Sequence, residues 1–312
     1  MTLQELLDRH PGRPTSSVPD WMLGYYKRLA ISFANGQTDT ATHVCWLQSR
    51  NFTIDLRLPL ETEQAPDKPL AAYTADELQV LASYEGWEAL SVWDGERLAW
   101  HTDTSLQMHN RWPEPALLSR VGNCMIEFAP SGAYVEDWRL QPSRPGPLIG
   151  LRLIEERDLA SGAVRHRGGG LIVCGEYAAL VLGRPAPMTS EGLLRDLALD
   201  ALGNGERLAA LFAFETSVAQ GSLEQGYSVA LSTRAGRVGR PLIALDGFEY
   251  LPDRHQLSQR FEQEGAPCER LFAIDTLEAC LPFDQATGFT PEAEAWYGRE
   301  APTLTRYNRT LR

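Results

Sequence analysis

From Leu23 to about residue 185 the chain alternates apolar and polar residues in short runs. A period of two is the pattern of a strand with one face against a core. Asn35-Gly36, Asp94-Gly95, Pro130-Ser131-Gly132, Ser161-Gly162 and Gly175 place turn chemistry between the runs. About ten strands in roughly 160 residues predict an antiparallel up-and-down barrel or a sandwich. A barrel fits better, because closure removes edges and no long edge strand is blunted by proline or lysine. One helix interrupts the strands. Thr74 caps it, Glu77 completes a capping box and Gly86 is its expected stop.

The flanks read differently. Residues 1–19 suggest a short helix and a Pro-rich lead-in, and residues 61–73 a loop. After Pro187 an amphipathic helix is expected, capped by Thr189 or Ser190 and stopped at Gly203. Strand-like runs follow at 206–221, 227–236, 240–247 and 270–278, the first with a helical start as an alternative. A polar helix is expected at 252–265 and a short one near 290–298. The division is thus a lead-in over 1–19, a barrel over 20–185 and a smaller strand-rich α+β part over 186–312. One barrel or two remains open. The fold class is mainly β.

The stretch from His43 to Leu58 carries the sharpest question. Phe52, Ile54, Leu56 and Leu58 alternate with Thr53, Asp55 and Arg57. With a three-residue loop at 49–51, Trp46 joins the apolar set, and His43 and Cys45 join Asp55 and Arg57. With a four-residue loop, Trp46 and Gln48 share a face with Asp55 and Arg57. A slip of one residue exchanges the faces. A solvated face or structural salt bridge competes with a polar floor in an apolar cavity. Further on, Glu136 and Trp138 share one face of their strand, and Asp137 and Arg139 the other.

Composition removes several function classes. The formal net charge is −12, whereas phosphate backbones and anionic lipids select basic faces. No apolar run reaches about 18 residues, so no membrane span is expected. The polar N-terminus lacks the apolar centre of a signal peptide, which points to the cytoplasm. Five cysteines without a CxxC pair favour small buried hydrophobes over a disulfide framework or zinc site. There is no HxH or HExxH, so no metal is expected. A haem iron would need His43, His101 or His166 as axial ligand. The glycines of 165–175 precede a strand and lack P-loop spacing, so a bulge or tight bend explains them. No cofactor is expected.

Four segments occur in order: Trp46-Leu47-Gln48, Asp55-Leu56-Arg57 running to Pro59, Trp100-His101 leading to Gln107, and Tyr134 to Trp138. On these, residues 20 to about 185 resemble a little-characterised family of lipocalin-like, calycin-type barrels that includes a fungal casein-kinase-interacting protein. The resemblance implies a barrel able to enclose something, with no settled activity.

Three functions follow as expectations. The first is binding of a small apolar or aromatic molecule, with Trp46, Trp100 and Trp138 as walls and Arg57 and Arg139 fixing an anionic or carbonyl group. Seven of the eight tryptophans precede residue 140, which supports a cavity or simply a core. The second is a cofactor-free isomerase, cyclase or lyase acting on a secondary metabolite. His101 would be its base, Asp103 would orient His101, and Asp55 or Glu136 would be the acid. The third is a protein-interaction scaffold using the acidic surface. The partner would be a small-molecule ligand or substrate, with a homodimer left open.

Overall fold

Each turn signal in the first half becomes a hairpin, and the hairpins close on themselves. The structure, a computed structural model, describes residues 1–188, 190–288 and 290–307, apart from the side chains of Thr102 and Asp103. Strands β1 (Gly24–Phe33), β2 (Thr38–Asp39), β3 (His43–Gln48), β4 (Phe52–Leu58), β5 (Glu85–Trp93), β6 (Arg97–Ser105), β7 (Ala116–Val121), β8 (Cys124–Phe128) and β9 (Tyr134–Leu140) form one sheet. Pairing of β1 with β9, from Tyr26 opposite Leu140 to Phe33 opposite Tyr134, closes it into an eight-stranded antiparallel barrel. The protein is mainly β, as its sequence pattern predicts. The seam between β6 and β7 is thin, with only Arg97–Leu117 and Leu98–Ala116 paired. Residues 106–115 link the two strands.

The second sheet begins well before residue 186. Strands β10 (Gly146–Asp158), β11 (Val164–Arg167), β12 (Gly169–Cys174), β13 (Tyr177–Leu182), β14 (Glu215–Ser222), β15 (Gly226–Ser232), β16 (Phe248–Leu251), β17 (Gln256–Gln263) and β18 (Ala266–Leu281) make it. Its order is β15-β14-β13-β12-β10-β18-β17-β16, with β11 also on β10. The barrel therefore ends at Leu140, and strands over 146–182 belong to the second sheet. The change of character near 186 marks short helices inserted between β13 and β14, which pair directly.

Helix α1 (Leu3–Arg9) has a Thr2–Glu5 capping box and buries Leu3, Leu6 and Leu7 among Ile149, Leu151, Phe272 and Leu277 of the second sheet. Helix α2 (Ala75–Ser83) carries the expected Thr74–Glu77 box but ends at Ser83, because Gly86 is already in β5. Helices α3 (Leu194–Asp200) and α4 (Gly205–Leu211) replace the single helix expected after Pro187. Thr189 lies outside the described residues. The polar run 252–265 is strand β17, held between β16 and β18, not a helix. Residues 240–247 contribute Leu242 and Ile243 to the core without forming a strand. Helix α5 (Pro291–Leu304) and a single 3₁₀ turn at Thr305–Tyr307 are the last described elements. The chain bends at Gly168 and Gly169, whose φ of +74° and +100° suits glycine; β11 before the bend and β12 after it pair with the same edge of β10, and β18 takes the other.

The two sheets meet where β3, β4 and β5 lie against β12, β13 and β14. Glycines permit the approach: a Cβ on Gly86 would sit 2.4 Å from Thr216 Oγ1, and one on Gly150 would sit 3.0 Å from the Phe52 ring. Arg50, fully buried in the β3–β4 loop, donates to Glu278 of β18 through Nε and Nη2, and to Asp20 at 2.8 Å. Arg50→Met leaves the mostly buried Glu278 without this partner, while Asp20 remains in contact with water, so it should cost about 1–3 kcal/mol. Urea melts measure it; a change below about 0.5 kcal/mol would mean that the bridge contributes nothing.

Candidate functional site

The hairpin takes the register in which Trp46 and Gln48 share a face with Asp55 and Arg57. Gln48 lies opposite Thr53, Trp46 opposite Asp55 and Val44 opposite Arg57. Directly opposite residues share a face. The Phe52 ring abuts Gly150 and Gly170 of the second sheet, so the apolar face of β4 lies outside the barrel yet buried. Asp55 and Arg57 consequently point into the barrel with Trp46.

Five tryptophans, Trp46, Trp87, Trp100, Trp112 and Trp138, line a cavity of about 20 Å³ there. Trp46 meets Trp138 and Trp100 edge-on, with ring centroids 5.5 and 6.1 Å apart. Such a volume admits a single water-sized group. Asp55, Arg57, Glu127, Tyr134 and Asn110 complete the lining. Arg57 and Trp112 also line a groove of about 260 Å³ at the mouth, whose other walls are the apolar Ile31, Phe33, Leu58 and Pro59 and the polar Arg28, Asp39, Thr42, Ser83 and Glu85. The guanidinium of Arg57 stacks 4.4 Å from the Trp112 ring centre. Trp112 is held in turn by its Nε1 donating to Glu85 at 2.9 Å.

The polar groups inside are unequally matched. Arg57 donates from Nε to Asp55 Oδ1 at 2.9 Å. Arg28 bridges Glu136 at 2.8 Å and Asp39 at 2.7 Å. Glu127 lies directly opposite Glu136 across β8 and β9. It accepts from Trp138 Nε1 at 3.0 Å and Tyr134 Oη at 3.2 Å, with no ion-pair partner among the described residues. Burial, then the facing Glu136 charge, push the Glu127 carboxyl well above the usual range. Burial likewise raises Asp55 to about 6, against the pull of Arg57. Two buried donors on the lining residues, Arg57 Nη1 and Trp100 Nε1, have no partner among the described residues.

The candidate residues divide accordingly. Trp46, Asp55, Arg57, Trp100 and Trp138 come together at one cavity, and Glu136 is buried on the same inner face of β9 as Trp138. Arg139 does not join them: alternation turns it outward, where it donates to Asp137 at 2.9 Å. His101 follows the inward Trp100, so it is exposed on the other face and cannot serve as a base in this cavity. The Asp103 side chain lies outside the described residues. His43 sits at the start of β3, 3.1 Å from Glu61, and buried His166 contacts the Gly183 carbonyl in the second sheet. The three histidines do not converge. Among the described residues no group of three His, Cys, Asp or Glu is placed to hold a metal, and no helix is long and apolar enough to cross a membrane.

Sequence reasoning missed Glu127, Tyr134, Asn110, Arg28 and the site role of Trp87 and Trp112. Glu127 had a signal, as the one charge in the apolar run Cys124-Met125-Ile126-Glu127-Phe128. Asn110 and Trp112 had none, because they arrive on a loop.

No family model matches the chain, and neither the curated proteins nor the solved structures yield a similar one.

Burial and the facing Glu136 carboxylate favour the protonated form of Glu127. The infrared difference between wild type and Glu127→Gln would then contain a protonated-carboxyl stretch; carboxylate bands alone would contradict the assignment. Asp55 binds its proton more tightly folded than unfolded. Its stabilising contribution is therefore present at low pH and lost as pH rises from 3.8 to about 6. Between pH 5 and pH 7 the wild type should lose about 1 kcal/mol more than Asp55→Asn in urea melts.

Proposed function

We propose that the barrel binds a small, largely apolar or aromatic molecule, with its body in the mouth groove and a polar atom against Arg57 and Trp100. The observation that carries this is the pair of unpartnered donors, Arg57 Nη1 and Trp100 Nε1, on side chains lining one cavity. A buried donor left unmatched costs about 1–3 kcal/mol, and more when charged. A ligand acceptor recovers that cost on binding, which converts a structural penalty into affinity. The mouth groove, at about 260 Å³, is near the lower end of small-molecule pockets. Membership of the lipocalin-like family is part of the same proposal, supported by the barrel, and so is a cytoplasmic setting, supported by five free cysteines.

One observation favours a second reading, cofactor-free acid–base catalysis. Asp55 and Glu127 line one cavity in unlike surroundings: Asp55 is paired to Arg57, whereas Glu127 accepts only from Tyr134 and Trp138, and burial raises both carboxyls. Carboxyls distinguished in this way divide into base and acid. Here Asp55 would be the base and Glu127 the acid, replacing His101. Nothing equivalent favours a protein-interaction scaffold.

Native and denaturing masses of freshly purified protein test the first reading. It predicts an adduct lost on denaturation, absent from Arg57→Met and retained by His101→Ala. An adduct equally abundant in Arg57→Met would remove Arg57 from the site.

A further inference from the structure

Resting on the binding reading, the groups around the cavity also constrain the ligand's charge. The two orphan atoms are both N–H donors. The acceptors beside them are already served: Asp55 by Arg57, Glu127 by Tyr134 and Trp138, Glu136 by Arg28, and Glu85 by Arg111 and Trp112. What the site lacks is an acceptor, which an ammonium or guanidinium group cannot provide.

An anion would supply acceptors but meets the wrong field. Asp39, Asp55, Glu85, Glu127 and Glu136 face Arg28, Arg57 and Arg111 in and around the mouth. Glu127 is set aside because its surroundings favour the neutral form; four carboxyls then stand against three guanidinium groups, in a chain whose net charge is already −12. Each guanidinium is engaged by a carboxylate, so none is a bare counter-charge. Space gives the same answer. The inner cavity of about 20 Å³ accommodates one oxygen-sized atom, less than a two-oxygen carboxylate needs.

We infer that the barrel selects an uncharged aryl or apolar molecule bearing a single hydrogen-bond acceptor, such as a ketone or amide oxygen, over the corresponding carboxylate or ammonium. The acceptor enters the inner cavity past the Arg57–Trp112 stack, and the body rests on Ile31, Phe33, Leu58 and Pro59.

Three matched probes test this on the full chain by calorimetry at pH 7: 2-acetylnaphthalene, 2-naphthoate and 2-naphthylmethylammonium. The ketone should bind at least ten-fold tighter than either ion. Trp100→Phe keeps an aromatic ring but removes its N–H, and should narrow that gap. Arg57→Met should narrow it further. Naphthoate or the ammonium binding as tightly as the ketone would overturn the charge inference and leave the binding reading standing. Binding of none of the three would withdraw both. An unchanged gap in Trp100→Phe and Arg57→Met would place the selectivity elsewhere and overturn the assignment of the two donors.

Discussion

The structure depends on strand β4 being buried on both faces. Phe52, Ile54 and Leu56 are fully buried outside the barrel, under the second sheet, and Thr53 and Asp55 are buried inside it. A strand in that position is expected to be apolar throughout. This one spends its apolar residues on joining the two sheets, so its alternate residues turn Asp55 and Arg57 into the barrel. Period two permits no other outcome once the apolar face is committed. Arg50, bridging Asp20 and Glu278, and the close approaches at Gly86 and Gly150 fix the same junction.

The barrel interior inherits the consequences. Two charges taken from water must recover several kcal/mol through mutual attraction and hydrogen bonds. Asp55 and Arg57 do so only in part, since Arg57 keeps one N–H without a partner. The carboxyls respond as buried acids do, holding their protons more tightly. Tryptophan rings fill most of the remaining space, which leaves an oxygen-sized cavity below a groove open at the mouth. Polar side chains that leucine and methionine could have replaced thus line the cavity below the groove. On the proposed binding reading, these are residues where stability is conceded to function.

Much of the architecture was legible. Turn residues located the hairpins, the Thr74–Glu77 box located α2, and the excess of tryptophan before residue 140 anticipated an aromatic interior. The register of β3 on β4 was reduced to two choices, and one of them is observed. What stayed hidden is non-local. Alternation shows that one face of a strand meets a core, but not that the other face meets a second one. The end of the barrel at Leu140 was invisible because β10 to β13 look like its own strands; only their pairing with β14 and β18 assigns them elsewhere. The run 252–265 is polar enough to resemble a helix face, and its strand form is imposed by neighbours on both sides. His101 and Arg139 were lost to the same rule that brought Trp100 and Trp138 inside.

The central claim is that Asp55 and Arg57 are kept for a ligand and not for the fold. Replacing both, as Asp55→Leu with Arg57→Met, and measuring unfolding free energy in urea addresses it most directly. Exchange of a buried ion pair for apolar side chains of similar volume is often neutral or stabilising by about 1–4 kcal/mol. The account predicts a double variant at least as stable as the wild type, with its binding gone. A loss of several kcal/mol would show the pair to be a structural element of the barrel and would contradict the account.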